Sequence, residues 1–176
     1  MTTPTSPSPV GEQARDDIYR DGITACRAAF NTEWADDMRR DVEAAFAEAF
    51  ARPDGAVGRG PNRYYVEIHP EQLRGFVDLV THPWVTAVCE AVLGPDYEIV
   101  EIGFDTPFPG AEYQPWHRDF PMHEVTRRDR RLNSLAFNLT GVDTVEEMGP
   151  FEIAHGTQFD DGTQFEHGMF PPKELY

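Results

Sequence analysis

Apolar residues in this chain change their spacing partway along it, and that change limits the fold more than any other feature. Trp34, Met38, Val42, Phe46 and Phe50 recur every four residues, which lays one apolar stripe along an α-helix. That stripe reads as a core face rather than a row of ligands. Further on, from Tyr97 through Phe104 and again from Arg131 to Leu139, the residues alternate. Leu135, Phe137 and Leu139 then share one strand face, and Ser134, Ala136 and Asn138 the other. Helices first and strands later read as an α+β fold.

Boundary signals sharpen this pattern. A helical turn is expected at Glu12–Tyr19, with Gly22 turning the chain into a strand near Ile23–Arg27. Asn31 or Thr32 can cap the long helix, which runs to about Ala51. Arg52-Pro53-Asp54-Gly55 ends it, and a Gly-rich loop leads to Asn62. Arg63 to Ile68 reads as a strand, and His69-Pro70 as the start of a short helix through Val80. Pro83 suits the first turn of a second helix, with Gly94 as its stop. Phe151 and Ile153 mark one more short strand. Residues 1–11 are rich in Pro, Ser and Thr and read as a disordered tail. Residues 12–176 are left as a single domain.

Composition narrows the function. The formal net charge of −16 argues against nucleic acid and against an anionic membrane as partner. There is no apolar run of membrane-spanning length. The first residues have neither the basic nor the apolar stretch of a secretory signal. Cys26 and Cys89 do not make a disulfide framework, which favours a reduced, cytoplasmic setting. No P-loop, dinucleotide fingerprint, nucleophile elbow or Cys-based zinc pattern occurs.

The chemistry-bearing motif is Trp116-His117-Arg118-Asp119-Phe120. On a strand, residues two apart lie on one face, about 7 Å apart along the backbone. His117 and Asp119 would then close on a single metal ion. One imidazole, one carboxylate and a later His make the facial triad of non-haem Fe(II) oxygenases. By itself, an H-x-D pair is also a common surface ion pair. Trp116 and Phe120 flank the pair and are expected to pack in the core.

Three segments together resemble a known family. They are Pro115-Trp116-His117-Arg118-Asp119, Leu135-Ala136-Phe137-Asn138-Leu139 and Gly149-Pro150-Phe151-Glu152-Ile153-Ala154-His155-Gly156-Thr157. They are similar to the P-W-H-x-D segment, the apolar strand and the glycine-rich turn of the phytanoyl-CoA dioxygenase family. Tyr19-Arg20-Asp21-Gly22-Ile23 resembles that family's opening "DG" strand. His82-Pro83-Trp84 through Leu93-Gly94-Pro95 resembles its helix ending in L-G-P. The resemblance spans roughly residues 16 to 165. It implies a double-stranded β-helix, a cupin-like jelly-roll barrel with flanking N-terminal helices. It also implies Fe(II) as cofactor, 2-oxoglutarate as co-substrate, and hydroxylation of an aliphatic C–H of a small-molecule or acyl substrate. Related halogenases have a small residue where Asp119 stands, so the intact carboxylate favours hydroxylation.

Two departures accompany the resemblance. His155 stands where the family has Pro. The family's distal His, and the Arg that grips 2-oxoglutarate, normally lie well beyond the Gly-Thr turn. The barrel is therefore expected to be incomplete at its C-terminus, and the chain to be part of a longer oxygenase. The third metal ligand is then absent, or is His155 or His167. His69, His82 and His123 have weaker claims, and helix capping or packing accounts for His82.

Other candidates are softer. Asn138 and Gln114 lie on segments that approach the co-substrate in the family, and either could hydrogen-bond 2-oxoglutarate. An ordinary strand-edge amide is the alternative. Tyr64 and Tyr65 are candidates for a substrate pocket, but only one can face inward on a strand. Arg127, Arg128, Arg130 and Arg131 form a basic island in an acidic chain. It could steer an anionic substrate, or it is simply a solvated loop. Beside the oxygenase stands a second class, a non-catalytic small-molecule-binding barrel without working iron. Neither the substrate nor the oligomeric state is fixed by these residues.

Overall fold

A computed structural model of the chain describes residues 8–114, 116–119 and 122–160. Helix α1 (Pro9–Asp21) begins where Ser8 caps it, the Ser8 Oγ accepting from the Gly11 N–H at 3.2 Å. Pro9 supplies a first helical residue that needs no N–H partner. Residues 9–11, expected in the disordered tail, are therefore helical, while residues 1–7 lie outside the described residues. Helix α2 (Thr32–Phe50) is capped by Asn31, whose Oδ1 accepts from the Trp34 N–H at 2.8 Å.

Strands β1 (Val57–Gly58) and β2 (Arg63–Glu67) pair antiparallel. A 3-10 turn at Pro70–Gln72 and helix α3 (Phe76–Val80) lead into α4 (Pro83–Leu93), which Gly94 stops at φ +101°. Strand β3 (Gly103–Pro107) pairs antiparallel with β2, Val66 facing Phe104 and Tyr65 facing Asp105. Helix α5 (Glu124–Asp129) and a 3-10 turn at Glu146–Met148 follow. The sheet of the described residues has three strands in the order β1-β2-β3.

Two apolar clusters hold these elements. Ala14 and Ile18 of α1 pack on Val88 and Val92 of α4, with Tyr19, Trp84, Leu132 and Leu135 around them. Met38, Val42 and Ala45 of α2 pack over Ile68, Leu73, Phe76, Ile102 and Phe104. The rest of the four-residue stripe continues in aromatic contacts, with Phe50 at its exposed end. Phe46 and Phe50 stack at 5.5 Å, and Trp34 stacks on Phe30 at 3.8 Å.

Gly11 sets how closely α1 and α4 approach. A Cβ there would lie 2.5 Å from the Ala87 carbonyl oxygen and 3.2 Å from the Ala91 Cβ. Gly11→Val should push the helices apart and destabilise the fold by about 1–3 kcal/mol. A lowered urea midpoint at unchanged slope is the expected result.

The α2 face is tied to the chain ahead of α3 by Arg74. Its backbone N–H and guanidinium donate to the Asp41 carboxylate at 2.9 Å. Chiefly through the Arg74 side-chain bond, the Asp41 carboxyl is held below its usual range. A depressed carboxylate adds stability that is complete above the unfolded value of about 3.9. It is lost as pH falls through the lower folded value. Arg74→Gln should therefore be less stable than the parent at pH 7. The gap should close in urea melts at increasingly acid pH.

Several expected strands are not strands here. Residues 23–27, 97–102, 131–139 and 151–153 run as irregular chain. Alternation makes a strand only where a neighbouring backbone takes the hydrogen bonds. β2 offers that partner from Gly103 onward, and just before it the Ile68 N–H donates to the Ile102 carbonyl. Within 131–139, Leu132 and Leu135 pack on the α1–α4 cluster instead. There the Leu132 N–H donates to the Tyr19 hydroxyl at 3.2 Å, and Phe137 meets Trp84 edge-on. The basic island, read as a loop, contributes to α5, which His123 caps.

Candidate metal centre

Residues 116–119 form bent, irregular chain rather than a strand. The His117 and Asp119 side chains nevertheless converge, with Nε2 of His117 lying 3.4 Å from Oδ1 of Asp119. His117 is 28% exposed and Asp119 61%, so the pair faces an open side of the molecule. Two ligands each about 2.1 Å from one cation, at right angles, stand about 3 Å apart. The observed separation needs little change to reach that value. An imidazole nitrogen and a carboxylate oxygen are two of the three donors of a non-haem iron site, so the pair fits iron as a partial ligand set. Among the described residues, no group of three or more His, Cys, Asp or Glu side chains is arranged to hold a metal.

Arg118, between the two candidate ligands, reaches to the turn at 154–160. Its guanidinium donates to the carbonyls of Thr157 at 2.7 Å, Gln158 at 3.1 Å and Asp160 at 3.1 Å. Burial lowers its pKa from the ordinary arginine value, with nearby Asp160 opposing and Arg127 reinforcing the shift. The turn is fastened in its own right to the end of α1. Gln158 Nε2 donates to the carbonyls of Ile18 at 3.1 Å and Tyr19 at 2.9 Å. The Gly156 N–H donates to the Asp21 carbonyl at 2.9 Å. Phe159 packs against the Tyr19 ring at 5.5 Å and beneath the Arg130 guanidinium at 4.6 Å. The Asp-Gly, H-R-D and Gly-Thr segments, far apart in sequence, thus meet in one hydrogen-bonded cluster.

The remaining candidates are distributed as follows. His155 is exposed beside Asp21. The Asp21 carboxyl is held below its usual range, mainly by Arg20, with His155 a smaller influence in the same direction. His167 lies outside the described residues. His69, His82 and His123 each cap a helical turn, their Nδ1 atoms accepting N–H bonds from Glu71, Trp84 and Val125. Gln114 is half-buried, and Asn138 is exposed on irregular chain.

Tyr64 packs against Phe50, Phe108 and Phe46 at 5.2, 5.9 and 6.3 Å. That aromatic cluster joins α2 to the sheet. Tyr65 donates its hydroxyl to Glu101, and the Arg59 guanidinium lies 4.0 Å above its ring. An open groove over Glu67–Pro70, Phe76 and Ile99–Ile102 lies beside the sheet and does not include the His117–Asp119 pair. Arg127 and Arg128 lie exposed on α5, with Arg128 held by Asp129 at 2.7 and 2.8 Å. Arg127 is near enough to Arg118 to influence its charge.

Arg118 and Gln158 are the participants that sequence reasoning missed. Their partners are backbone carbonyls, which leave no signature in side-chain identity. The one available signal was a charged residue between two candidate ligands in a largely apolar segment.

A converging imidazole and carboxylate, carried by H-R-D and braced by a glycine turn, are of the donor types that non-haem iron sites use. The chain belongs to the phytanoyl-CoA dioxygenase (PhyH) family, whose model matches residues 18–170. That family consists generally of non-haem iron, 2-oxoglutarate-dependent oxygenases. No curated protein and no solved structure matches the chain. Among the described residues, no helix is long and apolar enough to cross a membrane.

Proposed function

We propose that this protein is an Fe(II)/2-oxoglutarate-dependent dioxygenase that hydroxylates an aliphatic C–H of a small-molecule or acyl substrate. The observation that carries the reading is the 3.4 Å approach of His117 Nε2 to Asp119 Oδ1, inside a chain of this family. His117 and Asp119 are the two assigned ligands; among the described residues His155 does not join them, which leaves the third position to His167 or to no residue of this chain. Bound iron and 2-oxoglutarate supply oxidative decarboxylation to succinate and carbon dioxide, coupled to transfer of one oxygen atom of O2 into the C–H bond. The chain's own residues hold the ions, orient the substrate and limit water. The α+β arrangement belongs, in this reading, to a jelly-roll barrel. Gln114 and Asn138 are the candidates for hydrogen bonds to 2-oxoglutarate.

The basic island supports an anionic substrate group. Arg128 is paired with Asp129 and Arg130 lies over the Phe159 ring, so Arg127 and Arg131 are the island's less engaged side chains. An opposite charge steered to them speeds encounter, and salt screens the effect. Neutralising Arg127 and Arg131 together should raise the KM for an anionic substrate several-fold in low salt, with a smaller rise in high salt. An unchanged KM would assign the island to solvation alone. The reading as a whole is tested by succinate release from the purified protein supplied with Fe(II), ascorbate and 2-oxoglutarate. Iron-dependent release supports it, and its absence leaves a binding barrel without catalysis or a site short of its third ligand.

A further inference from the structure

We propose that Arg118 is a positioning residue for the metal pair. Through its hold on the 154–160 turn, it keeps His117 and Asp119 convergent and thereby sets the affinity for iron. The inference rests on the reading of those two residues as ligands, and extends it to a residue that would not touch the metal.

Three observations carry it. First, the paired strand residues of the described sheet lie at 57–58, 63–67 and 103–107. Residues 116–119 are outside them, so no ladder of that sheet sets which way the H-R-D side chains point. The 3.4 Å approach of the two side chains therefore depends on their own attraction and on side-chain contacts of this segment rather than on a ladder.

Second, the residue between them is fastened at three points. A planar guanidinium that serves the carbonyls of Thr157, Gln158 and Asp160 together is fixed in direction as well as position. His117 and Asp119 are each one peptide from the Arg118 Cα. Fixing that side chain restricts the rotation of both flanking residues.

Third, the anchor is rigid. The same turn is bonded to the carbonyls of Ile18, Tyr19 and Asp21 at the end of α1. Ile18 itself is buried against Val88 and Val92 of α4. A continuous path therefore runs from the helical core through the turn to the peptide bearing the candidate ligands. Groups that orient metal ligands from behind commonly change metal affinity by about 10–100-fold when removed.

The experiment compares the parent protein with Arg118→Gln, Arg118→Lys, Gln158→Leu and His117→Ala. The Fe(II) dissociation constant is measured without oxygen, well below each variant's melting temperature, and Tm is measured without metal. Arg118→Gln should weaken Fe(II) binding by about 10–100-fold. Arg118→Lys should recover part of the loss, because an ammonium can serve some of the carbonyls without matching the fork. Gln158→Leu, which loosens the anchor and leaves Arg118 in place, should weaken binding by a smaller factor. If Arg118→Gln fails to fold, the lysine and Gln158 variants carry the test.

Arg118 variants whose Tm falls while their Fe(II) affinity stays within about twofold would overturn the proposal, because a purely structural tie behaves in that way. His117→Ala separates this failure from that of the functional reading. If it binds Fe(II) as tightly as the parent, or the parent binds none, there is no metal pair to position and both fall.

Discussion

His117→Ala and Asp119→Ala should each reduce iron-dependent succinate release by more than about 100-fold, while the protein stays folded. The size follows from the donor count. Second-row partners alone shift metal affinity by about 10–100-fold, and removing a ligand that bonds directly removes more. Folding should survive because neither side chain belongs to the apolar clusters, which are built from α1, α2, α4 and the sheet. A metal-free melting temperature close to the parent's, alongside lost turnover, would separate a chemical role from a structural one. Retained turnover in either variant would remove that residue from the site.

Gly22→Val carries the largest expected effect on stability. Gly22 ends α1 at φ +82°, where its N–H donates to the Ile18 carbonyl. A left-handed backbone costs a residue with a side chain about 1–2 kcal/mol, and β-branching adds to that. A Cβ at this position would also lie 3.0 Å from the Gln158 Oε1 and 3.8 Å from the Gly156 nitrogen. The substitution therefore strains α1 and lifts the 154–160 turn away from it. A loss of about 2–4 kcal/mol is expected, read as a fall in both the melting temperature and the urea midpoint. Because the turn also holds Arg118, Fe(II) affinity should weaken in the fraction that remains folded. Gly22→Ala, with no second branch, should show the same pattern at smaller amplitude.

The parts of this fold that are legible in sequence are those decided locally. The cap at Asn31 and the four-residue stripe specify α2 without outside help. Pro83 and Gly94 do the same for α4, and β2 falls where an aromatic, β-branched run sits between turns. The failures lie where a partner decides. Residues 131–139 alternate well enough to be read as a strand. Yet Leu132 and Leu135 pack on the α1–α4 cluster, and the Tyr19 hydroxyl takes the Leu132 N–H, an acceptor more than a hundred residues away in sequence. Helix α5 was hidden because a run of arginines looks like a solvated loop until His123 is seen capping it.

The candidate site divides in the same way. His117 and Asp119 are readable because a two-residue spacing in an apolar, aromatic segment is a chemical pattern. Their convergence survives although the strand expected to produce it does not. Arg118 was unreadable because its acceptors are backbone carbonyls some forty residues on. Tyr64 was a reasonable candidate for a substrate pocket, since either of two adjacent tyrosines could face inward. Its contacts with Phe46, Phe50 and Phe108 place it in the aromatic cluster that joins α2 to the sheet.

The central claim is that His117 and Asp119 hold iron together with 2-oxoglutarate. Its most direct test is the visible absorption spectrum of the purified protein without oxygen, with Fe(II) and 2-oxoglutarate added separately and then together. The account predicts a charge-transfer band that requires both additions and is lost in His117→Ala and in Asp119→Ala. A band of parental intensity in either variant, or no band when both are added to the folded parent protein, would contradict it.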